Sequence, residues 1–328
     1  MTFIGRHTTL SYLQDQPRIW KRIPYLRDNH CKAPPIILAV GDRRRVYAAT
    51  KHLTDPVPVP ALAARLVRPH NPRLTPVLGR VFMVIGMAGK VPVMVVETQM
   101  GAPATQIIME EILSDQITTT AYKTAAGTLT VPQKVVIRAG TAGAINCPAK
   151  PPLRVGDLSI ATHTIGATGA TIQALTALDM WHPDTIRRFR RDWQRLGPDF
   201  TVTPEGDPRA DSTHRVVKAL EQAAKQLSPG RYQLGGNVTK DSLYSEQSAS
   251  LFQHLCRTQN CRSTEMEFTT LAATAAQHNA AYGMINSILS IIGVEESWIS
   301  SEKRVAAIED RTIRVALQAA QQLAEEKS

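Results

Sequence analysis

Short apolar runs alternate along the chain with stretches of helical spacing. "IILAV" at 36–40 runs into a Gly-Asp turn and then "RRRVYAATKHL", where Val46, Ala49 and Leu53 recur at helical intervals. That is the pattern of a buried strand entering a helix. After a loop rich in Pro and Arg (54–80), the runs Val81–Ile85 and Val91–Val96, joined through "MAGK", predict an antiparallel hairpin on a glycine turn. "TQMGAPATQIIMEEIL" predicts a tight turn and then a helix, with Pro103 near the helix start and apolar residues at 107, 108, 112 and 113. Residues 135–162, "VVIRAGTAGAINCPAKPPLRVGDLSIAT", predict a strand, a glycine turn with Arg138 at its mouth, a Pro-rich loop and a second strand.

Downstream, "THRVVKALEQAAKQL" predicts an amphipathic helix, "YQLGGNVT" a strand and "SASLFQHLC" a short helix. "EMEFTTLAATAAQH" predicts a long, Ala-rich buried helix, and "AAYGMINSILSII" a strand. The closing helix carries Val305, Ile308, Val315 and Leu323 on one face. This alternation without an internal break predicts one α/β domain over residues 34–325, a mixed central sheet flanked by helices. Residues 1–33 form a basic N-terminal extension, and 163–212, periodic only in an Arg-rich helix, an insertion.

Composition narrows the class without changing that picture. A chain of 328 residues fits one large domain with extensions, and 43% hydrophobic with 20% charged residues excludes a disordered chain. The longest apolar run, Met284–Val294, is interrupted by Asn286, Ser287, Ser290 and Gly293, so no membrane-spanning helix is expected. Cys31, Cys147, Cys256 and Cys261 show neither disulfide-scaffold density nor a CxxC metal pattern, which makes a reducing, cytoplasmic setting the default expectation. The extension sets Arg6, Arg18, Lys21, Arg22, Arg27 and Lys32 against Asp15 and Asp28 only. Mitochondrial and other organellar transit peptides share that composition, while Asp15 and two prolines favour an ordinary solvated extension.

A net charge of +10 attracts nucleic acid, anionic membranes and small phosphates alike. In "TIRRFRRDWQRLG" at 185–197, Arg187, Arg188, Arg190, Arg191 and Arg195 read as a solvated helix face, with Phe189 and Trp193 packed inward, in preference to a nucleic-acid contact.

Three strand ends carry small or polar residues: "VGDRRR", "TQMGAPAT" and "IRAGTAGA". Glycine there lets backbone N–H groups approach an anion, and in such sheets ligands collect at these ends. The patterns GxxxxGK[ST] and GxGxxG are both missing, so a single small phosphate fits better than a nucleoside triphosphate or a dinucleotide. Arg45 and Arg138 are candidate clamps, each with a structural ion pair as its alternative, and Thr141 adds a hydroxyl. Glu265 and Glu267 flank Met266; two apart on a helix, they point to different faces, which argues against a shared-proton dyad. Glu267 is either a helix-dipole partner or an acceptor for both hydroxyls of a sugar diol. A GxSxG elbow, a Cys/His signature and metal-ligand histidine spacing are all missing.

In order along the chain, "VGDRRRV", "TQMGAPATQIIMEEIL", "IRAGTAGAI…VGDLSIAT", "TKDSLYSEQ" and "EMEFTTLAATAAQHNAAYG" resemble the nucleoside phosphorylase superfamily, most closely its uridine phosphorylase branch. The resemblance implies an α/β protein with a partly closed sheet, assembled as a homodimer or higher homo-oligomer. It implies reversible phosphorolysis of a nucleoside to free base and ribose 1-phosphate, with inorganic phosphate as co-substrate and no metal or organic cofactor. By position, Gly41, Arg45, Arg138 and Thr141 would bind phosphate, and Arg80, with Arg73 as its competitor, would be lent by a neighbouring subunit. Met266 and Glu267 would bind ribose, and Gln247 the uracil edge.

The chain departs from that family where the base would lie. Ala249 and Ile292 stand where uridine enzymes carry arginines, and Ile292 also where purine enzymes carry an acid. Glu295, Glu296 and Arg304 are candidate substitutes, and His30 is the candidate for the 5′ hydroxyl. The expected activity is phosphorolysis of uridine or a related pyrimidine nucleoside in salvage. The alternatives are a purine nucleoside phosphorylase, a related hydrolase, and a catalytically weakened protein of this fold acting in binding or assembly.

Overall fold

The run at 36–40 forms β1 (Ile36–Val40), buried at all five positions. It lies in a computed structural model that describes residues 10, 13, 17–21, 23–59, 81–148, 150–166, 168, 194–203, 208–241, 249–294 and 301–325. On one side β1 pairs in parallel with β4 (Val91–Glu97), and on the other with β7 (Val135–Ala144). The expected hairpin is β3 (Met83–Ala88) with β4, turning through Gly89 at φ +59°, and β2 (Thr54–Pro58) lies outside it. A small separate hairpin is made by β5 (Ala121–Thr124) and β6 (Gly127–Thr130).

Beyond β7 the sheet continues through β12 (Cys261–Glu265), β11 (Tyr232–Thr239), β8 (Leu158–Ile165), β10 (Pro208–Asp211) and β9 (Phe200–Val202). The last strand, β13 (Ala281–Ile291), pairs in parallel with β7 and antiparallel with β8. Strands β7, β12, β11, β8 and β13 thereby close a ring, and β1, β4, β3 and β2 extend from it as an open wing. This is the mixed sheet the alternation predicts, partly closed as the family resemblance implies.

Side chains alternate across β1 and sort the core into two layers. Ile37 and Ala39 join Met109 and Ile112 of α4 (Ala102–Leu113) and Phe268 and Leu271 of α7 (Phe268–Gln277). Ile36, Leu38 and Val40 join α3 (Arg43–Thr50), α5 (His214–Leu227) and α8 (Glu302–Glu325) through Val46, Leu220 and Leu323. Among the described residues the remaining helices are α1 (Pro17–Trp20), α2 (Pro24–Asp28) and α6 (Ala249–Gln259).

Four features differ from the sequence expectation. The basic N-terminal segment is not simply solvated: Leu10, Leu13, Ile23 and Leu26 are fully buried in the first core layer, while Lys21 and Arg27 face outward. Its charge count hid four apolar anchors.

The expected glycine turn after Ile137 is instead part of one ten-residue strand. Gly140 and Gly143 sit inside β7 because neighbours need the space. A Cβ on Gly140 would come 2.7 Å from Asn286 Oδ1, and one on Gly143 2.8 Å from Ile292 Cδ1. Arg138 therefore projects from mid-strand rather than from a strand end.

Residues 261–265 form a strand, so the helix expected from Glu265 begins at Phe268. Finally, Cys147 and Cys256, 109 residues apart, are joined as a disulfide with Cα atoms 6.3 Å apart, while Cys31 and Cys261 are free and buried. Cysteine spacing thus carries no argument for a reducing compartment.

Within the expected insertion, residues 163–165 complete β8, and β9 and β10 extend the same sheet. Arg187, Arg188, Arg190 and Arg191 lie outside the described residues. Among the described residues no helix is long and apolar enough to cross a membrane.

Candidate active site

At the end of β1 the chain turns through Gly41 into α3, and the Asp42 side chain caps that helix by accepting the Arg45 backbone N–H at 3.1 Å. The cap fixes the first turn, from which the Arg45 side chain reaches back over the strand end. Its Nη2 lies 3.3 Å from Thr141 Oγ1 on β7. A Cβ built on Gly41 would come 2.7 Å from Arg45 Nη1 and 3.7 and 3.8 Å from the two amino nitrogens of Arg138. Four of the five residues predicted to hold phosphate, Gly41, Arg45, Arg138 and Thr141, therefore converge, and the fifth, Arg80, lies outside the described residues. Two planar cations and a hydroxyl around bare backbone suit a tetrahedral anion.

Arg138 is 4% exposed. Its Nη1 donates to Thr98 Oγ1 at 3.1 Å and its Nη2 to Glu267 Oε2 at 2.7 Å. Thr98, itself fully buried, is held by the Val40 carbonyl at the end of β1. The other Glu267 oxygen accepts the Gly101 N–H at 2.7 Å, from the loop that leads into α4. Burial alone would raise the Glu267 pKa, but the Arg138 charge and the Gly101 N–H outweigh it and hold the carboxyl below its ordinary value. Met266, half-buried, lies between Glu267 and the end of β12.

Both arginines are paired internally, which is the ion-pair alternative, while nitrogens of both also lie near the bare backbone of Gly41. Arg138 pairs with Glu267, and Arg45 with Glu309 of α8 at 2.6 Å. Glu309, Thr98 and Gly101 were not singled out by the sequence reading. Thr98 and Gly101 sit in the flagged "TQMGAPAT", whereas Glu309 carries no motif at all.

Glu265 does not point away from Glu267, as two positions on a helix would. Its Oε2 accepts the Glu267 backbone N–H at 2.8 Å and the Phe268 N–H at 2.9 Å, while Oε1 accepts from Asn237 at 2.8 Å and Thr239 at 2.7 Å. This buried carboxylate shapes the turn that presents Glu267. Burial first, and then the Glu267 charge, push its pKa from 4.5 to about 7. A raised folded value means stability fully present below the unfolded pKa and lost as pH rises through the folded one. Glu265→Gln, which sets an amide NH2 among backbone donors, is expected to be less stable throughout, with a melting-temperature gap to the parent that narrows from pH 5 to pH 8. A constant gap in thermal melts would mean that Glu265 stays ionised across that range.

The side expected to meet a base is apolar where described. Ile292 is half-buried against Ile145, Ile165, Val238, Phe252 and the Cys147–Cys256 pair. Arg304 is exposed on the first turn of α8, and His30 is exposed after α2; no described contact brings either to the site. Arg73, Arg80, Gln247, Glu295 and Glu296 lie outside the described residues, as does the side chain of Ala249. Among the described residues no group of three or more His, Cys, Asp or Glu could hold a metal ion.

The family model of the phosphorylase superfamily matches residues 36–325. No curated protein sequence matches the chain. Among solved structures the chain is similar to purine nucleoside phosphorylase from Toxoplasma gondii in complex with immucillin-H. The TM-score is 0.58 and the identity 18%, over 90% of this chain and 94% of that one. At that identity the likeness concerns the fold.

Proposed function

The chain belongs to the phosphorylase superfamily, and from that premise we propose that it catalyses reversible phosphorolysis of a nucleoside, giving a free base and ribose 1-phosphate. The observation that carries this reading is the junction at Arg138, where a buried guanidinium near Gly41 and Arg45 also holds Glu267 at 2.7 Å. An anion site and a diol acceptor are thereby adjacent. Phosphate binds among Gly41, Arg45, Arg138 and Thr141, and ribose lies across Met266 with Glu267 taking its 2′ and 3′ hydroxyls. A phosphate oxygen forms the bond to C1′ as the C1′–N bond breaks and its electron pair leaves with the base. The developing oxocarbenium-like sugar then sits against a fixed anion, so placement and preorganised charge supply the rate enhancement. Phosphate is a co-substrate in this scheme, and the reaction needs no metal or organic cofactor.

Uridine or a related pyrimidine nucleoside is the favoured substrate, on Gln247 and its "DSLYSEQ" context. Arg80 from a neighbouring copy would complete the phosphate shell in a homodimer or higher homo-oligomer. A purine nucleoside is the second reading. It is favoured by the apolar surroundings of Ile292, which give a carbonyl-rich uracil no described charge. Phosphate-dependent base release from uridine, thymidine, inosine and adenosine by the purified protein tests both. Release from none of the four, beside tight RNA binding, would overturn the enzyme reading in favour of a binding component.

Gly41→Ala offers a narrower check. The added methyl meets the guanidinium end of Arg45 rather than backbone, so the fold should hold while the cation is pushed off its place beside Glu309. Initial rates are expected to show the phosphate KM raised about tenfold or more, as for loss of one charge-assisted contact, with the nucleoside KM little changed, and thermal melts a drop from the disturbed Arg45–Glu309 pair.

A further inference from the structure

We infer that Glu309 is a positioning residue for the phosphate half of the site, holding the Arg45 guanidinium in place over Gly41. One carboxylate oxygen accepts from two nitrogens of Arg45, Nε at 2.8 Å and Nη2 at 2.6 Å. The nitrogen left over, Nη1, is the one a Cβ on Gly41 would meet at 2.7 Å. Glu309 thus occupies one edge of the fork and leaves the other facing the anion site. Both side chains are nearly buried, at 12% and 11% exposure. Asp42 is no substitute, since it is more exposed, stands 3.6 Å from Arg45 Nε and is engaged as the α3 cap.

The carboxylate sits on a turn of α8 that is tied down by side-chain contacts. Four consecutive residues there reach four different parts of the molecule. Glu309 binds Arg45 on α3, and Asp310 binds His52 just after that helix at 2.7 Å. The Arg311 guanidinium donates to the Gly156 carbonyl, and the Thr312 hydroxyl bonds Ser287 of β13. A long arginine tethered to such a point loses its rotamer freedom before phosphate arrives, so binding does not have to order it.

The two ion pairs at the site are not equivalent. When phosphate takes Arg138, Glu267 has a sugar diol to turn to, whereas no substrate group awaits Glu309. It stays with Arg45 through the cycle, and the site accepts a weaker net field in exchange for a fixed donor. This rests on the reading above that Arg45 binds phosphate.

Calorimetric titration of inorganic phosphate into the full-length parent, Arg45→Ala, Glu309→Ala, Glu309→Gln and Glu309→Asp tests it, with thermal melts to confirm folding. Arg45→Ala and Glu309→Ala are each expected to weaken phosphate binding tenfold or more. Glu309→Gln, whose amide oxygen accepts the same two hydrogen bonds, should stay within about threefold of the parent. Glu309→Asp keeps the charge but falls short, and should weaken binding like alanine. The nucleoside KM should move less than twofold in all the Glu309 variants. If Glu309→Ala does not fold, the order of Gln and Asp decides, and Asp at parental strength beside a weak Gln overturns the inference. A parent that binds phosphate and loses it with Arg45→Ala, while Glu309→Ala binds normally, overturns the inference alone. A parent that binds no phosphate, or an Arg45→Ala that binds it normally, overturns the functional reading and this inference with it.

Discussion

Arg138→Ala is expected to lower phosphorolysis by about a thousandfold, the upper range for loss of one preorganised donor at a transition state. The side chain is buried and joins three parts of the site at once. Without it phosphate loses a donor, Thr98 Oγ1 loses the 3.1 Å contact, and Glu267 loses its ion pair while keeping the Gly101 N–H. Leaving one member of a buried pair uncompensated costs about 3–5 kcal/mol of stability, so melting should fall as well. The informative readout is the split between ligands. Phosphate binding should collapse while binding of free base changes little, because in the proposed complex Arg138 serves phosphate and Glu267 and is assigned no contact with the base. Equal weakening of both would remove Arg138 from the phosphate site. Arg138→Lys is expected to recover only part of the loss, since a single ammonium cannot bridge Thr98 and Glu267 in the way a planar fork does.

Glu267→Gln is expected to act on the other half and in the opposite sense on phosphate. Two hydrogen bonds from ribose hydroxyls to a carboxylate are worth about 1.5–3 kcal/mol each, so ribonucleoside kcat/KM should drop about a hundredfold or more. A 2′-deoxyribonucleoside makes only one of them and should lose less. Phosphate binding should hold or tighten, because the variant removes a negative charge 2.7 Å from Arg138. The acid limb of stability should change too. The Glu267 carboxyl is held below its ordinary pKa, so its contribution is present above the unfolded value and is lost as pH falls through the folded one. Melts of the Gln variant should lack that loss. Rates that fall equally for ribo and deoxyribo substrates would show that Glu267 does not read the diol.

The proposed anion half of the site was legible because local rules agree there. A buried apolar run, a Gly-Asp turn and helical spacing put Arg45 on the first turn after a strand, and the Asp42 cap bears this out. Arg138 was legible as a residue but not as a place, since glycines that relieve neighbouring side chains look in sequence like glycines that reverse a chain. The strand Cys261–Glu265 was illegible because its polar residues are buried by partners far along the chain, such as Asn237 beneath Glu265 and the Pro151 carbonyl on Arg262. Glu309 was hidden for a similar reason. In "AAIEDRTIR" it reads as one of several charges on a solvated helix face, and only the packing of α8 on α3 turns it inward. The Cys147–Cys256 pair, 109 residues apart, offers no local signal.

The closed ring also sets the order in which the site comes into being. Arg138 is synthesised before the strands that complete the flanks of β7 in the ring, β12 and β13, with Ala281 registering against Val135. Such long-range pairing bears its loop-closure entropy before any contact rewards it, which makes folding slow and late. On the ribosome, then, the cationic strand waits on a chain that cannot yet enclose it. A product truncated before 281–291 would carry every proposed phosphate ligand from Gly41 to Thr141 and still lack the enclosure that aligns them.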